Sequence, residues 1–142
     1  MGSDPKSFEH SYKLNYIYVM QLNKDRHHGD YVINAYQDGI ITINKTCYKN
    51  SLIISPHRLI DDWAPQSIEE LKREHFMPII SMKPEVVILG TGSKLIFPDP
   101  AILAPFYNNN IGVEIMDTQA ACRTFTVLMA EDRNAVAALC VK

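Results

Sequence analysis

From Asp30 onward the chain alternates between apolar and polar positions. Tyr31, Ile33 and Ala35, then Ile41 and Ile43, interleave with Val32, Asn34, Thr42 and Asn44 around Gln37-Asp38-Gly39. Alternation with a period of two marks strands half buried on a core, and Asp-Gly between such runs is a strong hairpin signal. A third short apolar run, Ser51–Ser55, stops at Pro56. These three segments predict an antiparallel meander.

The period then changes. Ser67 followed by Glu70 has the spacing of a capping box, and Ile68, Leu71 and His75 share one helical face, so the first helix is expected over Ser67–Phe76. Glu85–Leu89 is rich in β-branched apolar residues, lies between Pro84 and Gly90, and reads as a strand buried on both faces. Asp99-Pro100 supplies an N-cap and a first-turn proline for a second helix, kept short by Pro105. A strand over Ile111–Met116, a third helix over Thr118–Glu131 and a last strand over Ala135–Val141 complete the pattern. Strand–helix–strand–helix–strand is the order of right-handed parallel crossovers. The expected fold is α/β: a three-layer domain with a mixed central β-sheet flanked by helices, plus an N-terminal antiparallel β-meander.

Residues 1–29 differ from the rest. Met1–His10 is polar and reads as a flexible end, Leu14–Leu22 could form an extra strand, and Met20 is a candidate natural start. Residues 30–142 are expected to form one domain, a size for which an ordinary apolar core suffices. Charge narrows the partners. With 14 basic and 16 acidic residues, and the basic ones scattered, no stripe for nucleic acid is visible. No apolar run approaches the roughly 20 residues of a membrane span. Cys47, Cys122 and Cys140 are far apart and in no CxxC spacing, which suits a reducing compartment, and the cytoplasm is the expected location.

Two segments carry more than generic α/β character: Val86-Val87-Ile88-Leu89-Gly90-Thr91-Gly92, and Gly112-Val113-Glu114-Ile115-Met116-Asp117-Thr118-Gln119-Ala120-Ala121-Cys122-Arg123-Thr124-Phe125. The second continues through Leu128, Glu131 and Arg133 to Ala135–Leu139, and Trp63 and the hairpin Tyr31–Ile43 fit the same pattern. Together they resemble the small Mth-type domain family of unknown function, which includes the adipogenesis-associated Mth domain-containing protein and a mitochondrial complex I assembly factor. Thr126 departs from the family pattern, which favours Asn after the aromatic residue. The resemblance implies a three-layer α/β fold and no established enzyme activity.

Candidate chemistry gathers at the strand ends. Gly90-Thr91-Gly92 follows a buried strand; it matches neither GxGxxG nor GxxxxGK[ST], so a tight strand exit is the plainer reading and a ligand contact the sharper one. Asp117 and Thr118 cap the third helix on the plainer reading. On the sharper one they border a crevice at the carboxyl ends of the strands, where helix amides suit an anion. Cys122 lies in the first turns of that helix, but beside Ala120 and Ala121 it reads as a small core residue. Arg123 points away from the core side and offers a fork for carboxylate or phosphate, or a salt bridge to Glu114 or Glu131. Val127 and Ala130 widen the apolar arc, as though a further layer or a second protein covered it. The pair His27-His28 and the isolated His57 and His75 lack the companions a metal needs. The expected binding residues are therefore Gly90, Thr91, Gly92, Asp117, Thr118 and Arg123, with no catalytic residue, no metal and no cofactor. A protein partner is the leading expectation, and a small anionic metabolite, bound by an enzyme or a sensor, the alternative.

Overall fold

The computed structural model describes residues 29–142, so the expectations for Met1–His10, Leu14–Leu22 and the His27-His28 pair fall outside the described residues. Strand β1 (Ile33–Gln37) turns through Asp38 and Gly39 into β2 (Ile40–Ile43). Both turn residues have positive φ, 54° and 75°, the conformation that twists a two-residue hairpin correctly. A second turn of the same kind, Asn44-Lys45 at φ 49° and 71°, leads into β3 (Thr46–Tyr48). Lys45 tolerates it because its amide donates to Asn34 Oδ1 at 2.8 Å. The third strand of the meander is therefore β3, and not Ser51–Ser55 as the apolar run suggested. An Asn-Lys pair is a weaker turn signal than Asp-Gly, and a tertiary bond supplies the difference.

The Ser51–Ser55 segment contains β4 (Leu52–Ile54), which with β5 (Leu59–Ile60) belongs to a second, five-stranded sheet. Its order is β5-β4-β8-β6-β7, where β6 is Val86–Thr91, β7 is Gly112–Met116 and β8 is Ala135–Cys140. β6 pairs parallel with both β7 and β8, while β4 runs antiparallel to β8. The sheet is mixed, as expected. The chain leaves β6 in one direction for β7 and returns past it to β8. Right-handed connections then have to lie on opposite faces of the sheet.

Side-chain alternation sorts the core accordingly. On one face Leu52, Ile54, Ile88, Ala137 and Leu139 pack under α3 (Thr118–Ala130), through Ala121, Cys122, Phe125 and Met129, and under Ile33, Ile41 and Ile43 of the meander. On the other, Ile53, Val87, Leu89, Val136 and Ala138 meet Trp63, Ile68, Phe76, Ile79, Leu103 and Phe106. Every residue of β8 is buried, and its alanines let both layers approach the sheet closely.

The first helix differs from expectation. Ile68–Glu70 and Arg73–Phe76 are separate 3-10 turns, broken by extended backbone at Leu71 and Lys72, and only then does α1 (Met77–Met82) form. Local bonds compete with the helix: Glu70 Oε1 accepts from the Gln66 amide rather than completing a box with Ser67, and His75 Nδ1 accepts from the Lys72 amide. Trp63 locks this stretch down by donating to the His75 carbonyl at 2.9 Å. The second helix is short, as predicted: Asp99 caps a 3-10 turn at Pro100–Leu103 that runs into α2 (Ala104–Asn108). Pro105 stands in the first turn of α2, where no donor is needed, and so starts the helix rather than interrupting it. The wide arc expected for the third helix narrows, because Val127 is 54% exposed.

Replacing Phe125 by Ala should cost about 3–5 kcal/mol of stability, whereas Val127→Ala should change it by less than about 0.5 kcal/mol. Denaturant unfolding of the two variants checks both.

Candidate functional site

The carboxyl ends of β6 and β8 converge on the start of α3. Thr118 is fully buried there. Its hydroxyl donates to the Cys140 carbonyl at 2.6 Å and accepts from the Gly92 amide at 2.7 Å. Its own amide donates to the Gly92 carbonyl at 2.9 Å. A Cβ on Gly90 would stand 2.9 Å from Thr118 Oγ1, and one on Gly92 would stand 1.8 Å from the Lys142 carbonyl oxygen. Gly92 also holds φ at 95°, a region that favours glycine. Thr91 turns inward, donating to the Lys94 carbonyl and accepting from the Ile96 amide. The switch point of such a topology is here occupied by the threonine side chain, with Lys142 beside Gly92.

Asp117 caps α3, its Oδ1 accepting from the Ala120 amide at 2.9 Å and its carbonyl from Ala121 at 2.9 Å. With Thr118 also bonded, most of the first-turn amides an anion would need are already engaged. A shallow depression of about 280 Å³ remains outside, between the hairpin turn and the helix start, lined by Tyr36, Gln37, Asp38, Gly92, Ser93, Asp117 and Gln119. Its two charged groups, Asp38 and Asp117, are both acidic, which disfavours an anion in this position.

Arg123 lines a neighbouring depression of about 240 Å³, with Ile33, Asn34, Ala35, Tyr36, Gln119, Cys122 and Thr126. Among the described residues Arg133 forms an ion pair with Glu85 and His57 Nδ1 lies 3.3 Å from Asp30 Oδ2, and Arg123 is bridged to neither Glu114 nor Glu131. Of the six expected residues, Gly92 and Asp117 thus share one depression and Arg123 borders the next. Gly90, Thr91 and Thr118 are enclosed beneath them. Tyr36 and Gln119, which border both depressions, went unnoticed in the sequence. Tyr36 donates to the Val141 carbonyl at 3.0 Å, and burial, followed by the surrounding Cys122, Asp117 and Asp38, raises its phenol pKa.

Burial pushes the Cys122 thiol up to about 12, against the opposing pull of Arg123. Burial likewise pushes Cys140 up to about 12. Neither sulfur is a thiolate near neutrality, and Cys47 is the exposed thiol. Among the described residues no group of three His, Cys, Asp or Glu could hold a metal, and no helix is long and apolar enough to cross a membrane.

A mixed five-stranded sheet flanked by helices, with an antiparallel three-stranded sheet beside it, is the fold of small Mth938-like α/β domains. Residues 33–140 match the family described as protein of unknown function (DUF498/DUF598), and the chain belongs to that family. It is 31% identical to a crystallised Bordetella parapertussis protein, with a TM-score of 0.75, covering 80% of this chain and 98% of that one. A Bordetella pertussis protein described as a Mth938-like domain superposes with a TM-score of 0.70 at 27% identity, over 78% of this chain and 85% of its own. Among curated relatives, the 13 kDa major membrane protein of Francisella tularensis subsp. holarctica is 26% identical over 117 residues, 82% of this chain and 95% of that protein. NADH dehydrogenase [ubiquinone] 1 alpha subcomplex assembly factor 3 of Mus musculus is 30% identical over 109 residues, 75% of this chain. This chain spans 58% of that protein's length.

Thr118→Val keeps the shape but removes the hydroxyl bonded to the Gly92 amide and the Cys140 carbonyl, and should cost about 1–3 kcal/mol, with Thr118→Ser closer to wild type. Thermal unfolding of both variants tests this. Because folding raises both buried thiol pKa values from 9.0 to about 12, their contribution is complete below 9.0 and declines as pH rises towards 12. Denaturant midpoints should therefore fall across that window, and fall less in a Cys122→Ala/Cys140→Ala variant.

Proposed function

We propose that this protein is a non-enzymatic binding protein that assists the assembly of a protein complex. It meets its partner along the seam between α3 and the β1–β2 hairpin, where Gly92 and Asp117 lie at one end and Arg123 at the other. The observation that carries this reading is the fate of the reactive groups. The Thr118 hydroxyl, the first-turn amides of Thr118, Ala120 and Ala121, and the Cys122 thiol are all taken up by packing or internal bonds, while Arg123 stands exposed without an ion partner. Such a surface has a contact to make and little chemistry to perform. The relatives named as complex assembly factors support the same reading. Three unpaired cysteines fit a reducing compartment, and the cytoplasm is the location we assign.

A small anionic ligand is the second reading. Arg123 favours it, since its planar fork suits carboxylate or phosphate. On the geometry above, such a ligand belongs beside Arg123 rather than in the acidic depression at Gly92.

Affinity purification after in-cell cross-linking separates the two. Wild-type protein should recover a reproducible partner, and Arg123→Ala should recover about tenfold less, equivalent to about 1.4 kcal/mol. The stability of the variant should stay within about 0.5 kcal/mol of wild type. Absence of any reproducible partner would sink the leading reading. A melting temperature raised by phosphate or small carboxylates in wild type, and not in Arg123→Ala, would establish the second.

A further inference from the structure

We infer that the depression beside Arg123 is a carboxylate pocket, in which the side-chain amides of Asn34 and Gln119 join the arginine in holding an acidic side chain of the partner. The inference rests on the assembly reading for the source of the carboxylate, and names the group that the partner presents. Pairing of β1 with β2 shifts register between Ile33 and Ala35, so Asn34 is an inserted residue without a cross-strand mate. A bulge of this kind re-aims side chains, and here Ile33, Asn34 and Ala35 all border the depression. The Asn34 amide is held in one orientation. The Lys45 backbone amide donates to it at 2.8 Å, and a donor can meet only its carbonyl end, Oδ1. The Nδ2 end keeps both hydrogens, and neither is given to another described residue. Gln119 and Arg123 stand four residues apart on α3, the spacing that sets two side chains on one face. Both are exposed, both line this depression, and neither side chain donates a hydrogen bond to another described residue.

Three donors therefore border one hollow, from two elements, and no acidic residue lines it. Such a set takes a group that only accepts, and an ionised carboxylate is one. Its two oxygens match the planar fork of a guanidinium, and the neutral amides satisfy the lone pairs that remain. Ile33, Ala35 and Cys122 add an apolar wall, against which the methylenes of a glutamate stem pack. Charge selects carboxylate over phosphate. Arg123 supplies one positive charge, while Asp38 and Asp117 line the adjoining depression. Asp117 and Arg123 are separated by about 9 Å of helix rise. A phosphate group with nearly two negative charges meets more repulsion there than the single arginine offsets.

The test titrates the isotopically labelled whole chain by NMR with butyrate, inorganic phosphate, acetyl-Gly-Glu-Gly-amide and the neutral control acetyl-Gly-Gln-Gly-amide. Butyrate and the Glu peptide should give saturable shifts of the Asn34 and Gln119 side-chain amides and of the Arg123 Nε–H. Phosphate should bind about threefold more weakly or worse, the scale of one exposed ionic contact, and the Gln peptide should not saturate. Asn34→Asp keeps an oxygen to accept from the Lys45 amide and converts the donor end into a second acceptor. That variant and Gln119→Glu should each weaken the Glu peptide by about tenfold, the loss of one bond to a charged group. The Lys45 amide resonance of Asn34→Asp reports that the turn is intact. Phosphate as tight as carboxylate, shifts centred on another surface, unchanged affinity in Asn34→Asp, or no saturation by either carboxylate would each overturn the pocket. Butyrate tighter than the Glu peptide would overturn the partner's side chain as its source. The titration contains no partner, so its failure leaves the cross-linking result standing, and a failure of cross-linking leaves the carboxylate pocket standing.

Discussion

The hydroxyl of Thr118 accepts a hydrogen bond from the Gly92 amide and donates one to the Cys140 carbonyl, so one buried side chain ties the ends of β6 and β8 to the start of α3. Much of the neighbourhood follows from that clasp. Gly90 has no room for a Cβ because the threonine is already there, and Gly92 has none because the Lys142 backbone passes beside it. Once Thr118 is held inside, Asp117 is positioned to cap the helix and Arg123 is carried to the outer surface. A buried hydroxyl that both gives and receives is stable only while both partners remain in place, which couples the three elements.

The same closeness sets the character of the surface. The alanines of β8 bring α3 near the sheet, and Cys122 is trapped in that interface with its thiol protonated. What stays open is shallow and lies outside the switch point, along the seam with the hairpin. That seam is built by elements from distant parts of the chain, and its two ends differ in charge because Asp38 and Asp117 gather at one and Arg123 at the other.

Much of the fold was legible because strong signals agreed. Asp38-Gly39 marked a hairpin, the apolar run ending at Leu89 marked a buried strand, and Asp117 marked the start of α3; each appears where its chemistry requires. The misses share a cause. Ser67 and Glu70 had the spacing of a helical cap, but Glu70 bonds to Gln66 and the segment breaks into 3-10 turns. Asn44 was counted in the strand alternation and stands with Lys45 in a turn, where Asn34 Oδ1 accepts from the Lys45 amide. In both places a side chain–backbone bond, invisible to periodicity, outweighed the local pattern.

The candidate site divides along the same line. The sequence by itself determined that glycines would follow β6, that an aspartate would cap the helix after β7 and that Arg123 would face outward, since those are properties of period and local conformation. Only the tertiary structure decided that Thr118 fills the switch point, that Cys122 is buried, and that Tyr36 and Asp38 of the hairpin lie beside the start of α3. Those outcomes depend on contacts between residues up to 105 positions apart, such as Tyr36 to the Val141 carbonyl. Such pairings are set by how layers close over a shared core, and no periodicity within a single segment encodes them.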